Sequence, residues 1–205
     1  MYSVTIPGSV GTIGDDTFYG TPLTRVAIPA GVGNIGASAF EYWSSLTNAT
    51  IAYSVTNIAE NAFAECANLT EVYFTGNAPT ADGSVFSNLG YNSQFDYPYT
   101  YYVSTAYYLP GTTGWAEFSS NAMIPAVLWN PTIQASGANF GMQSNQFGFD
   151  ITGTTNIPIV VQACTNLAQP IWVPLQSLTL TNGLVHFSEP FQSNTPARFY
   201  RIAAP

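Results

Sequence analysis

Residues 2–69 consist of three near-identical stretches: YSVTIPGSVGTIGDDTFYGTPL (2–23), TRVAIPAGVGNIGASAFEYWSSL (24–46) and TNATIAYSVTNIAENAFAECANL (47–69). They repeat every 22 or 23 residues with the apolar positions in one register. Val4, Val26 and Ala49 align, as do Ile6, Ile28 and Ile51; Val10, Val32 and Val55; Ile13, Ile35 and Ile58; Phe18, Phe40 and Phe63; Leu23, Leu46 and Leu69. A period of this length is the signature of a solenoid, because one copy cannot bury its own apolar face. Each Ile and Phe must pack on the coils above and below, about 4.8 Å away. A fourth copy starts at Thr70 with TEVYF and decays after Pro79. The expected fold is mainly β, with a short solenoid of three full coils and a partial fourth over residues 1–76.

The shared pattern, V-x-I-P-x-x-V-x-x-I-G-x-x-A-F-x-x-C-x-x-L, is clearest from Val26 to Leu46 and from Ile51 to Leu69. It resembles the BspA-like leucine-rich repeats, a family of surface proteins of bacteria and some protists. The third copy departs from it at Ala52 and Ala59, where Pro and Gly are usual, and those departures touch turns rather than the core. The resemblance implies a leucine-rich-repeat solenoid displayed outside the cell.

Charge excludes several classes of partner. Three Arg, no Lys and eleven acids give a net charge of -8, and only 7% of the 205 residues are charged, against about 25% in an ordinary domain. Arg25, Arg198 and Arg201 make no basic patch that could neutralise phosphates, so nucleic acid is not an expected partner. No window has the 18 or so apolar residues of a membrane span. Met1 runs directly into the first repeat with no secretory signal, so a signal was removed or the chain is part of a longer parent. Two cysteines, Cys66 and Cys164, lie in different segments and read as no disulfide framework. Cys66 takes the ladder position of Trp43 in the previous coil and is expected to be a buried, inert thiol.

Between residues 77 and 128 the register is lost and Tyr, Asn, Ser and Gly dominate, although Phe86 still falls 23 residues after Phe63. TYYVSTAYYLP alternates like one or two short strands, and LPGTTGWAEF reads as a turn followed by a short helix. This segment is expected to be the C-terminal cap and linker of the solenoid. Tyr91, Tyr97, Tyr99, Tyr101, Tyr102, Tyr107 and Tyr108 crowd into eighteen of its residues, together with Phe95. Alternation buries about half of them, and the rest form a candidate interaction surface, since Tyr supplies contact area at low entropic cost. The alternative is a purely structural cap.

From residue 129 onward FGFDITG, IPIVVQACTNL, IWVPLQSLTLT, LVHFSEP and ARFYRIAAP have strand character with turn signals between them. Asn182-Gly183 is expected to close a two-residue hairpin between SLTLT and LVHF. Residues 129–205 are therefore expected to form a small antiparallel, immunoglobulin-like β-sandwich. The run from Val160 to Pro205, with its Q-A-x-T-N-L strand, Trp-containing strand and closing R-F-Y-R, resembles a C-terminal β-sandwich module of large secreted proteins of Verrucomicrobia and related bacteria. That resemblance implies an exported, modular parent and no particular chemistry.

Catalytic and metal-binding patterns are not legible. A hydrolytic triad needs a base, an acid that orients it and a nucleophile. His186 is the single histidine and has no such partners at readable spacing. Zinc lacks clustered Cys and His. Calcium could draw on Asp15-Asp16, which more readily opens a short helical turn, or on Asp82 and Asp96, but no loop has its ligand spacing. Glu41, Glu60 and Glu65 form no repeated carboxylate pair. No cofactor and no catalysis are expected.

The sequence points to a non-catalytic extracellular or cell-surface interaction and adhesion protein that binds protein or polysaccharide. A self-assembling subunit of an extracellular filament or sheath is the second expectation. It arises because Val4, Ile6 and Val10 leave no room for a polar cap ahead of them, so the first coil's edge requires cover from further repeats, a partner or another copy docking head to tail.

Overall fold

The computed structural model describes residues 4–92, 97–191 and 197–205, with the backbone alone for residues 91, 92 and 97. Two compact units divide it, residues 1–128 and residues 129–205.

The second and third repeats each make one long and one short strand, whereas the described part of the first makes a short one. The short ones are β1 (Thr12–Ile13), then, after β2 (Arg25–Ile28), β3 (Asn34–Ile35), and, after β4 (Asn48–Ile51), β5 (Asn57–Ile58). The order β1-β3-β5 forms one parallel sheet, in which Ile13, Ile35 and Ile58 stack. A second parallel sheet joins β2 and β4 to β6 (Glu71–Phe74). Val26, Ala49 and Val72 align in it, as do Ile28, Ile51 and Phe74. Phe18, Phe40, Phe63 and Phe86 stack nearly parallel, with centroids 5.3, 4.9 and 5.6 Å apart. Ring spacing therefore stays close to the strand spacing of about 4.8 Å.

Hydrogen bonds between coils run around the whole turn. Flanking the strands, amides reach back one coil: Thr47 N–H donates to Thr24 O, Ala52 to Ile28 and Thr70 to Thr47. At the opposite corner they reach forward: Phe18 N–H donates to Ala39 O, Phe40 to Ala62 and Phe63 to Val85. These corners contain no helix. They turn on left-handed residues at matching places, Asp16, Ser38 and Asn61 in one column and Gly20, Tyr42 and Glu65 in another. A non-glycine residue there costs about 1–2 kcal/mol, which the inter-coil bonds offset. The short helical turn expected at Asp15-Asp16 is instead this left-handed corner.

Beyond Phe74 the solenoid continues where the motif no longer shows it, to about five turns. A hairpin, β7 (Asn88–Asn92) and β8 (Tyr97–Tyr101), interrupts the coil after Phe86. Then β9 (Thr105–Tyr108) pairs parallel with β6, placing Ala106 beside Val72 and Tyr108 beside Phe74. The helix α1 (Trp115–Ala122) buries Trp115, Phe118 and Ala122, and Trp115 and Phe118 meet Phe74 edge-on at 5.1 and 5.3 Å. The chain then returns as β10 (Ala126–Leu128), parallel to β9.

The second unit comprises antiparallel sheets. One contains β11 (Thr132–Gln134), β12 (Gly141–Gln143), β13 (Gln146–Thr152) and, later in the chain, β16 (Leu184–Pro190). The other has the order β15-β14-β17, from β14 (Pro158–Cys164), β15 (Val173–Thr179) and β17 (Phe199–Ala203). Phe149 of β13 and Phe187 of β16 meet Tyr200 of β17 at 5.5 and 6.0 Å.

The hairpin expected at Asn182-Gly183 is absent. Both residues have positive φ, 56° and 77°, and Leu184 N–H donates to Thr181 O, so the turn is of the expected kind. Yet β15 pairs with β14 whereas β16 pairs with β13, so the turn carries the chain from one sheet to the other. A two-residue hairpin with positive φ at both residues occurs instead at Ser144-Asn145, between β12 and β13.

Candidate functional site

Alternation along the long strands turns every second side chain away from the solenoid core. The register aligns Arg25, Asn48, Glu71 and Thr105 in one outward column, and Ala27, Thr50, Tyr73, Tyr107 and Val127 in the next. The second column grows from small residues in the early coils to aromatic ones in the later coils, an aromatic wall that is largely covered, with Tyr73 5% exposed and Tyr107 half-buried. Tyr73 and Tyr107 stack at 5.0 Å and 19°. Glu71 holds this wall in place: its Oε2 accepts from Asn48 Nδ2 at 3.1 Å and from the Tyr73 hydroxyl at 3.3 Å. Burial, and then the Glu71 carboxylate, push the Tyr73 and Tyr107 hydroxyls above the ordinary tyrosine range. Both stay protonated donors at any physiological pH. Arg25, the one fixed cation of residues 1–128, stands exposed in the adjoining column.

The tyrosines singled out from the sequence divide among three tasks. Tyr107 belongs to the aromatic wall. Tyr108 faces the core and stacks on Trp115 at 4.8 Å and 7°. Tyr102 also packs against the core, its hydroxyl donating to Gly83 O at 2.9 Å. Tyr99 and Tyr101 lie on β8 with rings 5.9 Å apart. The Tyr99 ring lies across its cross-strand partner Gly90, where a Cβ would sit 2.5 Å from the ring, and it remains 45% exposed. It is thus a flat aromatic ring laid on backbone with its outer side open. Tyr91 and Tyr97 are strand residues of the same hairpin whose side chains lie outside the described residues, as does Phe95.

At the other end, Ile6 is buried at 8% exposure and Val4 and Val10 are half-buried. Ile6, Val10, Ile13 and Phe18 line an open apolar hollow of about 250 Å³.

The acids weighed as calcium ligands serve as turn caps. Asp15 Oδ1 accepts from Ala37 N–H at 2.8 Å, and Asp82 Oδ1 accepts from Ser84 N–H and Oγ–H at 2.8 and 2.6 Å. Asp96 lies outside the described residues. Glu65 Oε1 accepts from Leu89 N–H at 2.8 Å. Among the described residues no group of three or more His, Cys, Asp or Glu is placed to hold a metal, and no helix is long and apolar enough to cross a membrane. Cys66 is buried beside Phe40 O at 3.1 Å, and burial pushes its thiol up to about 12. Cys164 is buried and free. His186, which has no acid partner at readable spacing, meets one in the fold: Asp150, 36 residues earlier, lies 2.8 Å from its Nδ1. The two are cross-strand neighbours on β13 and β16, a pairing that no sequence spacing announces.

No curated protein and no solved structure matches this chain. A family model described as a BspA type leucine-rich repeat region, with six copies, matches residues 1–107. That span takes in the aromatic wall as far as Tyr107 as well as the three legible copies. Such repeats are commonly surface or adhesion modules that engage other proteins, and they are in general non-catalytic scaffolds. With more than half of its length matched and the coil register observed strand by strand, this chain belongs to the BspA type leucine-rich repeat family.

Proposed function

We propose that this protein is a non-catalytic interaction and adhesion module, acting outside the cell or at its surface, that binds a protein or polysaccharide through the solenoid's outward sheet face and its tyrosine hairpin. The observation that carries this is the half-buried Tyr107 ring, held by stacking on the buried Tyr73 beside Glu71, with the exposed Arg25 in the adjoining column. An aromatic surface already held in one geometry loses little entropy on binding, and Tyr99 adds a second flat ring. The likeness of residues 160–205 to modules of secreted bacterial proteins supports export. Labelled full-length protein should bind intact cells or immobilised surface polysaccharide and matrix protein. Tyr99→Ala and Arg25→Ala, both at exposed positions, should each weaken that binding by about tenfold, the scale of an interface anchor. Binding unchanged by both substitutions refutes the reading.

The apolar hollow at Ile6, Val10, Ile13 and Phe18 supports a second reading, a subunit that adds head to tail into a filament or sheath. Fibres in negative stain that disappear in Val10→Asp would favour it, and discrete particles would refute it.

A further inference from the structure

The second unit carries a polar hollow that this reading does not use. Along β13 and β16 the rings of Phe149 and Phe187 turn inward, so Gln146, Gly148, Asp150, His186 and Ser188 share the opposite face. Asp150 and His186 are directly paired, as are Gly148 and Ser188. Asp150 Oδ1 meets His186 Nδ1 at 2.8 Å, and Oδ2 accepts from Asn139 Nδ2 at 2.8 Å. Those two bonds, Asn139 first, hold the Asp150 carboxyl below its ordinary range. An ionised carboxylate can only accept, so Nδ1 carries a proton, and the tautomer this bond selects has its lone pair on Nε2. No described residue hydrogen-bonds Nε2.

Gly148 makes room for this ring. A Cβ there would lie 3.0 Å from Nε2, 3.1 Å from Cε1 and 2.9 Å from Phe187 O. Its φ is not positive, so space and not backbone conformation is what the absent side chain provides. The imidazole therefore lies over bare backbone, oriented from one side, with an acceptor facing a hollow of about 240 Å³. Asn139, Gly141, Gln143, Ser144, Gln146 and Ser188 complete the lining, and all but the glycine carry uncharged hydrogen-bonding side chains.

That lining selects its ligand by elimination. A cation finds no carboxylate in the lining, which does not include Asp150. An anion finds no cation in the lining and a negative chain around it. A hydrophobe would strand the amides and hydroxyls unpaired. A neutral molecule dense in hydroxyls satisfies them all, and the volume lies below the roughly 300–1,000 Å³ of drug-sized sites, which suits one ring. We propose that this hollow binds a neutral sugar residue, one of whose hydroxyls donates to Nε2 of His186.

His186 is the single histidine, so its imidazole NMR signals are assigned without mutagenesis. The full-length protein is titrated with the methyl glycosides of glucose, galactose and mannose and with N-acetylglucosamine. At least one should shift the His186 Cε1–H resonance saturably and give saturation-transfer signals. Gly148→Ala and His186→Gln should each weaken the interaction about tenfold, as expected for the loss of one hydrogen bond. Gln162→Ala, on the other sheet, should leave it unchanged. No shift with any probe up to about 50 mM, well above the millimolar range expected of so small a ligand, overturns the proposal in the unmodified protein alone. Binding that survives both substitutions overturns it too. The solenoid reading rests on Tyr99 and Arg25, so either can fail without the other.

Discussion

Replacing Phe63 by Ala tests the physical core of the solenoid. Its ring is 1% exposed and lies between Phe40 at 4.9 Å and Phe86 at 5.6 Å, both within 10° of parallel. Truncating a buried Phe costs about 3–5 kcal/mol through lost transfer energy and the cavity left behind. Each stacked pair adds about 0.5–1.5 kcal/mol beyond its area, so an interior rung with two partners belongs near the upper end, at about 4–5 kcal/mol. Phe18 is half-buried at the end of the column, stacked on Phe40 alone, and Phe18→Ala should cost about half as much. Urea denaturation of the full chain reads both, followed by near-UV circular dichroism and by tryptophan fluorescence, to which Trp43, 5.2 Å from Phe40, contributes. The larger loss is a substantial share of the about 5–15 kcal/mol of a typical domain. Phe63→Leu, which loses both stacked contacts at about 1–3 kcal/mol but leaves a smaller cavity, keeps the comparison measurable if the Ala variant does not fold. The reasoning fails if Phe63→Ala costs no more than Phe18→Ala.

Two further outcomes are expected. Cys66 is protonated in the fold up to about pH 12 and in the unfolded chain only to its ordinary value near 9. Its contribution is complete below about pH 9 and is lost as the pH rises toward 12. The urea midpoint of the first unit should therefore fall with rising alkaline pH less steeply in Cys66→Val than in the unmodified protein, and native Cys66 should resist Ellman's reagent at pH 8. Residues 129–205, expressed alone, should give a cooperative melt and near-UV dichroism, because they form a compact unit with their own buried Phe149, Ile159, Val161 and Phe187; a featureless spectrum would contradict independent folding.

The first coils were legible because spacing and burial coincide: Ile28, Ile51 and Phe74 stand one period apart and pair directly. The later coils were not, since 34 residues rather than 23 separate Phe74 from its rung partner Tyr108, with the β7–β8 hairpin in the interval. Parallel pairing fixes which residues align and leaves the intervening loop free to grow. Asn182-Gly183 shows a different limit. Its dihedral angles were readable, but a turn's own geometry does not decide which sheet the next strand joins. The contact between Asp150 and His186 depends on that choice, so it appeared only once the register of β13 on β16 was known.

The directions in which neighbouring coils exchange hydrogen bonds make the length of this scaffold adjustable. Every coil offers the next one the same donors and acceptors at the same places, back from the strands and forward from the corner. Inserting or removing one entire unit, such as Thr47–Leu69, exchanges one set of satisfied partners for an equivalent set and creates no orphaned group. Losing a single residue inside a unit is the harsher event, because it displaces every rung that follows it within that coil. Gene duplication in multiples of the period can thus lengthen or shorten the binding face at little structural cost, and the face can be fitted to the size of what it holds.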